Sequence, residues 1–114
     1  MLSRRGRRKL LDIRENGKLA RDWIEGMSAS DFAADVKTFY AVTRALEVIS
    51  EASRGIDLES KARFSHLPWG DIAGAGNIYR HDYEEVSAVL VWKTVAVALS
   101  PLLAAVEAEL HDED

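Results

Sequence analysis

With 114 residues, a formal net charge of -4, 47% hydrophobic and 30% charged side chains, the chain has the size of one domain and is too apolar for a disordered one. The acidic balance argues against nucleic-acid binding over the whole surface, and the absence of cysteine excludes disulfides and Cys-based zinc sites and fits a reducing cytoplasm. The charge is uneven: "RRGRR" opens the chain, so residues 1–8 read as a basic flexible N-terminus that could also attract RNA, and "HDED" at 111–114 reads as an acidic tail.

Helical periodicity runs throughout, and no alternating Val/Ile/Thr-rich run bounded by turn residues suggests a strand. The first helix is expected from about Arg8 to Gly26, with Leu11, Arg14 or Ile13, Leu19 or Ala20, Trp23 and Met27 along its apolar stripe. Ser28 or Ser30 should cap a second helix with Asp31 in its first turn, carrying Phe32, Val36, Phe39 or Tyr40, Thr43, Leu46 and Ile49 or Ser50, and stopping near Gly55. A short third helix from Asp57 to about Phe64 uses Asp57 as its cap. A fourth starts at "LPWGDIAGAGN", with Pro68 in its first turn and three glycines lowering its propensity. The last is expected from about Tyr83 to Leu110, with Asp82 and Glu85 spaced as a capping box and Pro101 kinking it or starting a new turn.

The segment "VSAVLVWKTVAVALSPLLAAV" is interrupted by Lys93 and Pro101 and reads as a core helix rather than a membrane span; no signal-peptide pattern indicates export. The expectation is one all-α domain over 1–114, an antiparallel up-and-down bundle of about five helices. Trp23, Trp69 and Trp92 lie in or beside apolar patterns and read as core or interface anchors. "GAGNIY" lacks the last glycine and the preceding strand of a dinucleotide fingerprint. His66 and His111 have no carboxylate or histidine at metal spacing, and no metal site or cofactor is expected.

The polar chemistry concentrates in "GAGNIYRHDYEEV", Gly74 to Val86. On a helix, Asn77 and His81 share one face, as do Gly76 and Arg80, and Tyr83 follows at the junction. An imidazole, a guanidinium, an amide and a phenol at one helix end can exchange protons and stabilise a phosphate oxyanion. By spacing alone, His81 and Asp82 equally well end one helix and cap the next.

Read together, "LEVISEAS", "LPWGDIAGAGNIYRHDY", "VWKTV" and "LSPLL" resemble, from about Leu10 to Leu110, the HepT-like ribonuclease toxins of the HEPN superfamily. That resemblance implies a dimerising helical bundle whose two motifs face one cleft where RNA is cut without metal, usually paired with a minimal nucleotidyltransferase antitoxin. The family motif is Arg, usually Asn, three residues, His, any residue and Tyr. Asn77, His81 and Tyr83 fall on it, whereas Gly76 stands where the Arg belongs. The resemblance thus implies His81 in proton transfer, Asn77 as an orienting amide and Tyr83 as an acceptor of AMP; Arg80, off the motif and one turn along from the missing Arg, is the candidate phosphate clamp. Loss of one oxyanion partner costs on the order of 10²- to 10³-fold in rate. Two readings follow: a toxin-type endoribonuclease using Arg80 instead, or a catalytically weak homologue that keeps the fold, the dimer and the binding of its nucleotidyltransferase.

Overall fold

The computed structural model describes residues 1–81 and 87–112, with Arg80 and His81 described through their backbone. Among them are six helices and no strand: α1 (Arg4–Ile24), α2 (Ala29–Ala34), α3 (Val36–Ser53), α4 (Leu58–Arg63), α5 (Trp69–His81) and α6 (Ala88–Asp112). The all-helical expectation holds, with one helix more than the five anticipated.

The extra helix arises at Asp35. The pattern predicts one helix from the Ser28 cap onward, and Ser28 does form a reciprocal box with Asp31, but α2 ends after Ala34. Asp35 leaves the helical region (φ -102°, ψ 90°) and its carboxylate accepts the Thr38 N–H at 3.0 Å, capping a new helix. A side chain that competes for the backbone thereby divides an otherwise continuous apolar stripe.

α1 begins at Arg4, inside the stretch read as a flexible basic end. Ser3 Oγ accepts the Gly6 N–H at 2.8 Å, while Asp57 takes both the Ser3 N–H (2.8 Å) and its hydroxyl (2.6 Å). Those hydrogen bonds hold the Asp57 carboxyl below the usual carboxylate range. Asp57 sits at the cap position of α4 as expected, yet its side chain makes no capping bond there, being committed to Ser3.

Three sets of contacts establish the antiparallel order. Ser3 meets Asp57, so α1 runs against α3; Arg54 reaches Ala73 and Ser50 reaches Gly76, so α3 runs against α5; Arg14 pairs with Glu107 and Arg21 with Ser100, so α1 runs against α6. The core collects Leu10, Ile13 and Ala20 from α1, Phe32 from α2, Val42, Leu46 and Ile49 from α3, and Val91, Val95, Leu102 and Val106 from α6. Of the alternatives for the α1 stripe, Ile13 and Ala20 are buried and Arg14 and Leu19 exposed; Trp23 is exposed too, and the buried line runs through Gly17 instead. The small residues win because α6 crosses closely there, a Cβ on Gly17 falling 2.6 Å from Leu103 Cδ2. Trp92 lies 5.7 Å from the Phe32 ring, and Trp69 donates its indole N–H to the Phe64 carbonyl at 3.0 Å.

The start of the last helix also differs. Ser87 is extended and its hydroxyl accepts the Leu90 N–H, so the helix begins at Ala88; the Asp82/Glu85 capping box falls outside the described residues. The irregularity expected at Pro101 appears as a π-helical turn over Thr94–Ala98, where the Leu99 N–H reaches back to the Thr94 carbonyl. Proline cannot donate to the carbonyl four residues earlier and its ring crowds it, which a widened preceding turn relieves. α6 is long and apolar enough to cross a membrane by composition, but Leu99, Leu102, Ala105, Val106 and Leu110 pack into the bundle as a core helix.

At the far end, the buried Glu109 carboxylate accepts from Arg63 Nη2 at 2.6 Å and Nε at 3.0 Å, which holds its pKa below the usual range. Because the folded pKa lies below the unfolded one, about 4.3, this stabilisation is present above that pH and lost as pH falls through the folded value. Chemical denaturation across the acid range should therefore show a weaker decline in stability for Glu109→Gln than for the wild type. An unchanged acid limb would contradict the assignment.

Candidate active-site helix

α5 carries the polar cluster, and its seat is built before its chemistry. Pro68 precedes the first turn, its carbonyl accepting the Ile72 N–H at 2.9 Å, and the buried Leu67 pins the approach. The helix then lies on α3 through one hydroxyl. Ser50 Oγ accepts the Gly76 N–H at 2.8 Å and directs its own proton to the Ile72 carbonyl (2.7 Å) or that of Ala73 (3.0 Å), while Arg54 donates to Ala73 at 2.9 Å. Ser50 thus stands beside the Ile72–Gly76 rung of α5, where a side chain can enter only if the facing residue lacks a Cβ. A Cβ on Gly76 would lie 2.8 Å from Ser50 Oγ and 3.2 Å from Ser50 Cβ.

That geometry locates each candidate. Gly76 is buried on the stripe facing α3, whereas Asn77 is exposed on another side of the helix. The α5 backbone stays helical through His81, so Asn77 and His81 occupy successive turns of one stripe, as the spacing predicts. Arg80 lies one turn beyond Gly76 on the adjoining stripe. The side chains of Arg80 and His81, and all of Tyr83, are outside the described residues. His66 and His111 are exposed, and neither lies on α5.

On the opposite flank of α5 a groove of about 500 Å³ opens toward α6, with Leu46 and Ile49 among its lining and Ile72, Tyr79, Leu90 and Leu99 on its walls. Apolar side chains stay uncovered along it: Ile78 is 43%, Leu90 45%, and nearby Val89 and Val97 are 61% and 70% exposed. Tyr79 is buried at the joint between the two helices. Burial pushes its phenol above the ordinary tyrosine range, partly offset by a hydrogen bond to Thr94 in the π-helical turn. It is therefore a neutral structural tie at physiological pH. The Thr43 hydroxyl, one heptad before Ser50 on α3, is buried without a hydrogen-bond partner among the described residues.

Sequence reasoning placed Ser50 only as an alternative in an apolar stripe and overlooked Tyr79 and Thr94. The one signal available was the run of small residues at Gly74, Ala75 and Gly76, which marks close helix contact.

Two effects oppose each other at this position. Gly76→Ala gains up to about 1 kcal/mol of helix propensity but forces Ser50 aside, and overpacking of this kind costs about 1–3 kcal/mol. In the wild-type background the substitution should lower the melting temperature; after Ser50→Ala it should be neutral or stabilising. Thermal melts of the four proteins give the coupling directly, and additive effects would remove the steric argument.

The Ribonuclease HepT-like family profile matches residues 13–109. The chain is 35% identical over 86 residues to a protein of Methanocaldococcus jannaschii named "Putative RNase", covering 75% of this chain and 79% of that one. It is 37% identical over 86 residues to the "Probable ribonuclease HepT" of Thermococcus cleftensis, covering 75% and 78%. With a "Putative RNase" of Caldanaerobacter subterraneus subsp. tengcongensis it shares 31% over 90 residues, covering 79% and 80%. No solved structure matches the chain. A profile spanning most of the bundle, with Asn77 and His81 in step at the end of α5, makes this protein a member of the Ribonuclease HepT-like family of HEPN proteins.

Proposed function

We propose that the protein is a toxin-type, metal-independent endoribonuclease of the cytoplasm, acting as a homodimer whose two α5 helices face one RNA cleft and held in check by a cognate minimal nucleotidyltransferase. The observation that carries the reading is the α5 backbone, helical through His81, which sets that residue one turn beyond the exposed Asn77 in a chain of this family. In the reaction, His81 takes the proton of a ribose 2'-hydroxyl as its oxygen bonds to the adjacent phosphorus; the P–O5' bond breaks and the leaving oxygen is protonated. Asn77 orients the phosphate, and Arg80 supplies the cation that balances the charge gathering on its oxygens. The uncovered apolar groove between α5 and α6 is the surface that a second copy would bury.

A second reading has its own support. Gly76, at the position of the motif Arg, is committed to Ser50 and offers no charge, which favours a catalytically weak dimeric partner and substrate of the nucleotidyltransferase. Single-turnover cleavage of a labelled RNA separates the two. The enzyme reading expects a loss of roughly 10²- to 10⁴-fold on His81→Ala and a comparable loss on Arg80→Ala, in a protein that light scattering finds dimeric. Equal silence of wild type and variants would leave the binding module.

Tyr83 is the regulatory handle under either reading. Transfer of AMP to its phenol would place a bulky anion beside the site for the RNA phosphate, excluding it by size and charge. Coexpression with the transferase should add the mass of AMP to the wild type and not to Tyr83→Phe. A modification located at another residue would overturn this assignment.

A further inference from the structure

The basic run at the start of the chain is part of the folded bundle. Arg4, Arg5, Arg7 and Arg8 are all exposed on the first two turns of α1, whose inner side is held by Gly6, Leu10 and Ile13. Arg4 and Arg8 lie four apart on the outward stripe, and Arg5 shares an edge with Lys9. Like charges at these spacings destabilise a helix, and cations at its N-terminal end oppose its dipole. No acidic residue occupies the first turn. Arg4, Arg5 and Arg8 have no carboxylate within ion-pair distance among the described residues, Asp12 and Glu15 of the next turns included. The arrangement survives because Asp57 clamps Ser3 and spends its charge below the helix start.

The patch continues toward the candidate site. The Lys9 side chain lies across Gly55, where an added Cβ would be 2.7 Å from Lys9 Cγ. Beside it, Arg54 is half-exposed, with Glu51 at 3.8 Å as a loose partner, and its guanidinium touches the α5 backbone at Ala73. Ala73 is one turn before Asn77 and two before His81. Four arginines and a lysine thus lie from α1 across the end of α3 to α5, with Asp12, Glu47 and Glu51 beside Lys9 on the surface between α1 and α3, on a protein whose net charge is -4.

We propose that this strip is an exosite for the phosphodiester backbone of single-stranded RNA, seating the substrate at Arg4, Arg5 and Arg8 while the scissile bond lies at the end of α5. The inference rests on the ribonuclease reading for the identity of its polyanion. Exposed arginines on successive turns of a helix suit successive phosphates, and the bidentate guanidinium favours a phosphodiester chain.

The test measures binding in a His81→Ala background, which keeps the probe intact. A fluorescent single-stranded RNA of about 20 nucleotides is titrated between about 50 and 200 mM salt, and three lost phosphate contacts should flatten the log–log slope by about 2 in Arg4→Gln/Arg5→Gln/Arg8→Gln. The matching triple lysine variant should keep the wild-type slope, because charge and not packing carries the effect. The glutamine triple should melt no lower than its parent. If it does not fold, Arg4→Gln alone, with an expected change of about 0.7, decides the matter. An unchanged slope in a parent that binds RNA overturns the exosite and leaves the ribonuclease reading standing; a parent that binds no RNA overturns both. Preferential binding to phosphatidylserine vesicles over RNA, lost in the glutamine triple, would overturn it in favour of a membrane surface.

Discussion

The seat of α5 depends on a serine hydroxyl that takes the place of a side chain on the facing helix. Ser50 reaches the backbone of α5 at Gly76, Ile72 and Ala73, and Arg54 completes the carbonyl at Ala73. Polar contacts of this kind are directional, so they define both the rotation of α5 about its axis and its height along α3, which apolar packing alone specifies loosely. Asn77 and His81 occupy the outward stripe because Gly76 and Tyr79 occupy the inward one.

The same contact has a chemical consequence. A residue at 76 other than glycine must displace Ser50 before its side chain can reach solvent, so close helix packing occupies the position where the resemblance implies a charge. Any phosphate clamp must come from a neighbouring turn, and Arg80 is the guanidinium nearest in sequence to His81. Whether rate is retained depends on how well a cation from that stripe meets the developing oxyanion, a matter of geometry to within a fraction of an ångström.

Elsewhere the bundle places polar bonds where regular structure is interrupted. Asp35 divides α2 from α3, Ser87 starts α6, Asp57 holds the beginning of α1, and the π-helical turn at Thr94–Ala98 accommodates Pro101 while presenting Thr94 to Tyr79. That last irregularity helps shape the groove, whose lining includes both Tyr79 and Thr94. The apolar side chains left uncovered there are the part of the surface that the single chain does not complete.

By itself the sequence determined the helical class, a serine cap at Ser28 or Ser30, the core role of the α6 segment and the register of Asn77 with His81, because each follows from short-range spacing along one helix. It could not determine which edge of a broad apolar stripe turns inward: Ala20 is buried in preference to Leu19, and Gly17 in place of Trp23, where α6 approaches closely enough to select a residue without a Cβ. Nor could it show that Asp57 would serve Ser3, 54 positions away, in preference to its own helix, or that "RRGRR" would fold. Tertiary structure alone decided the meaning of Gly76, since a missing side chain is read as a lost charge until the hydroxyl of Ser50 is found in its space. Local spacing records what a helix can present, and packing decides which face is presented and to what.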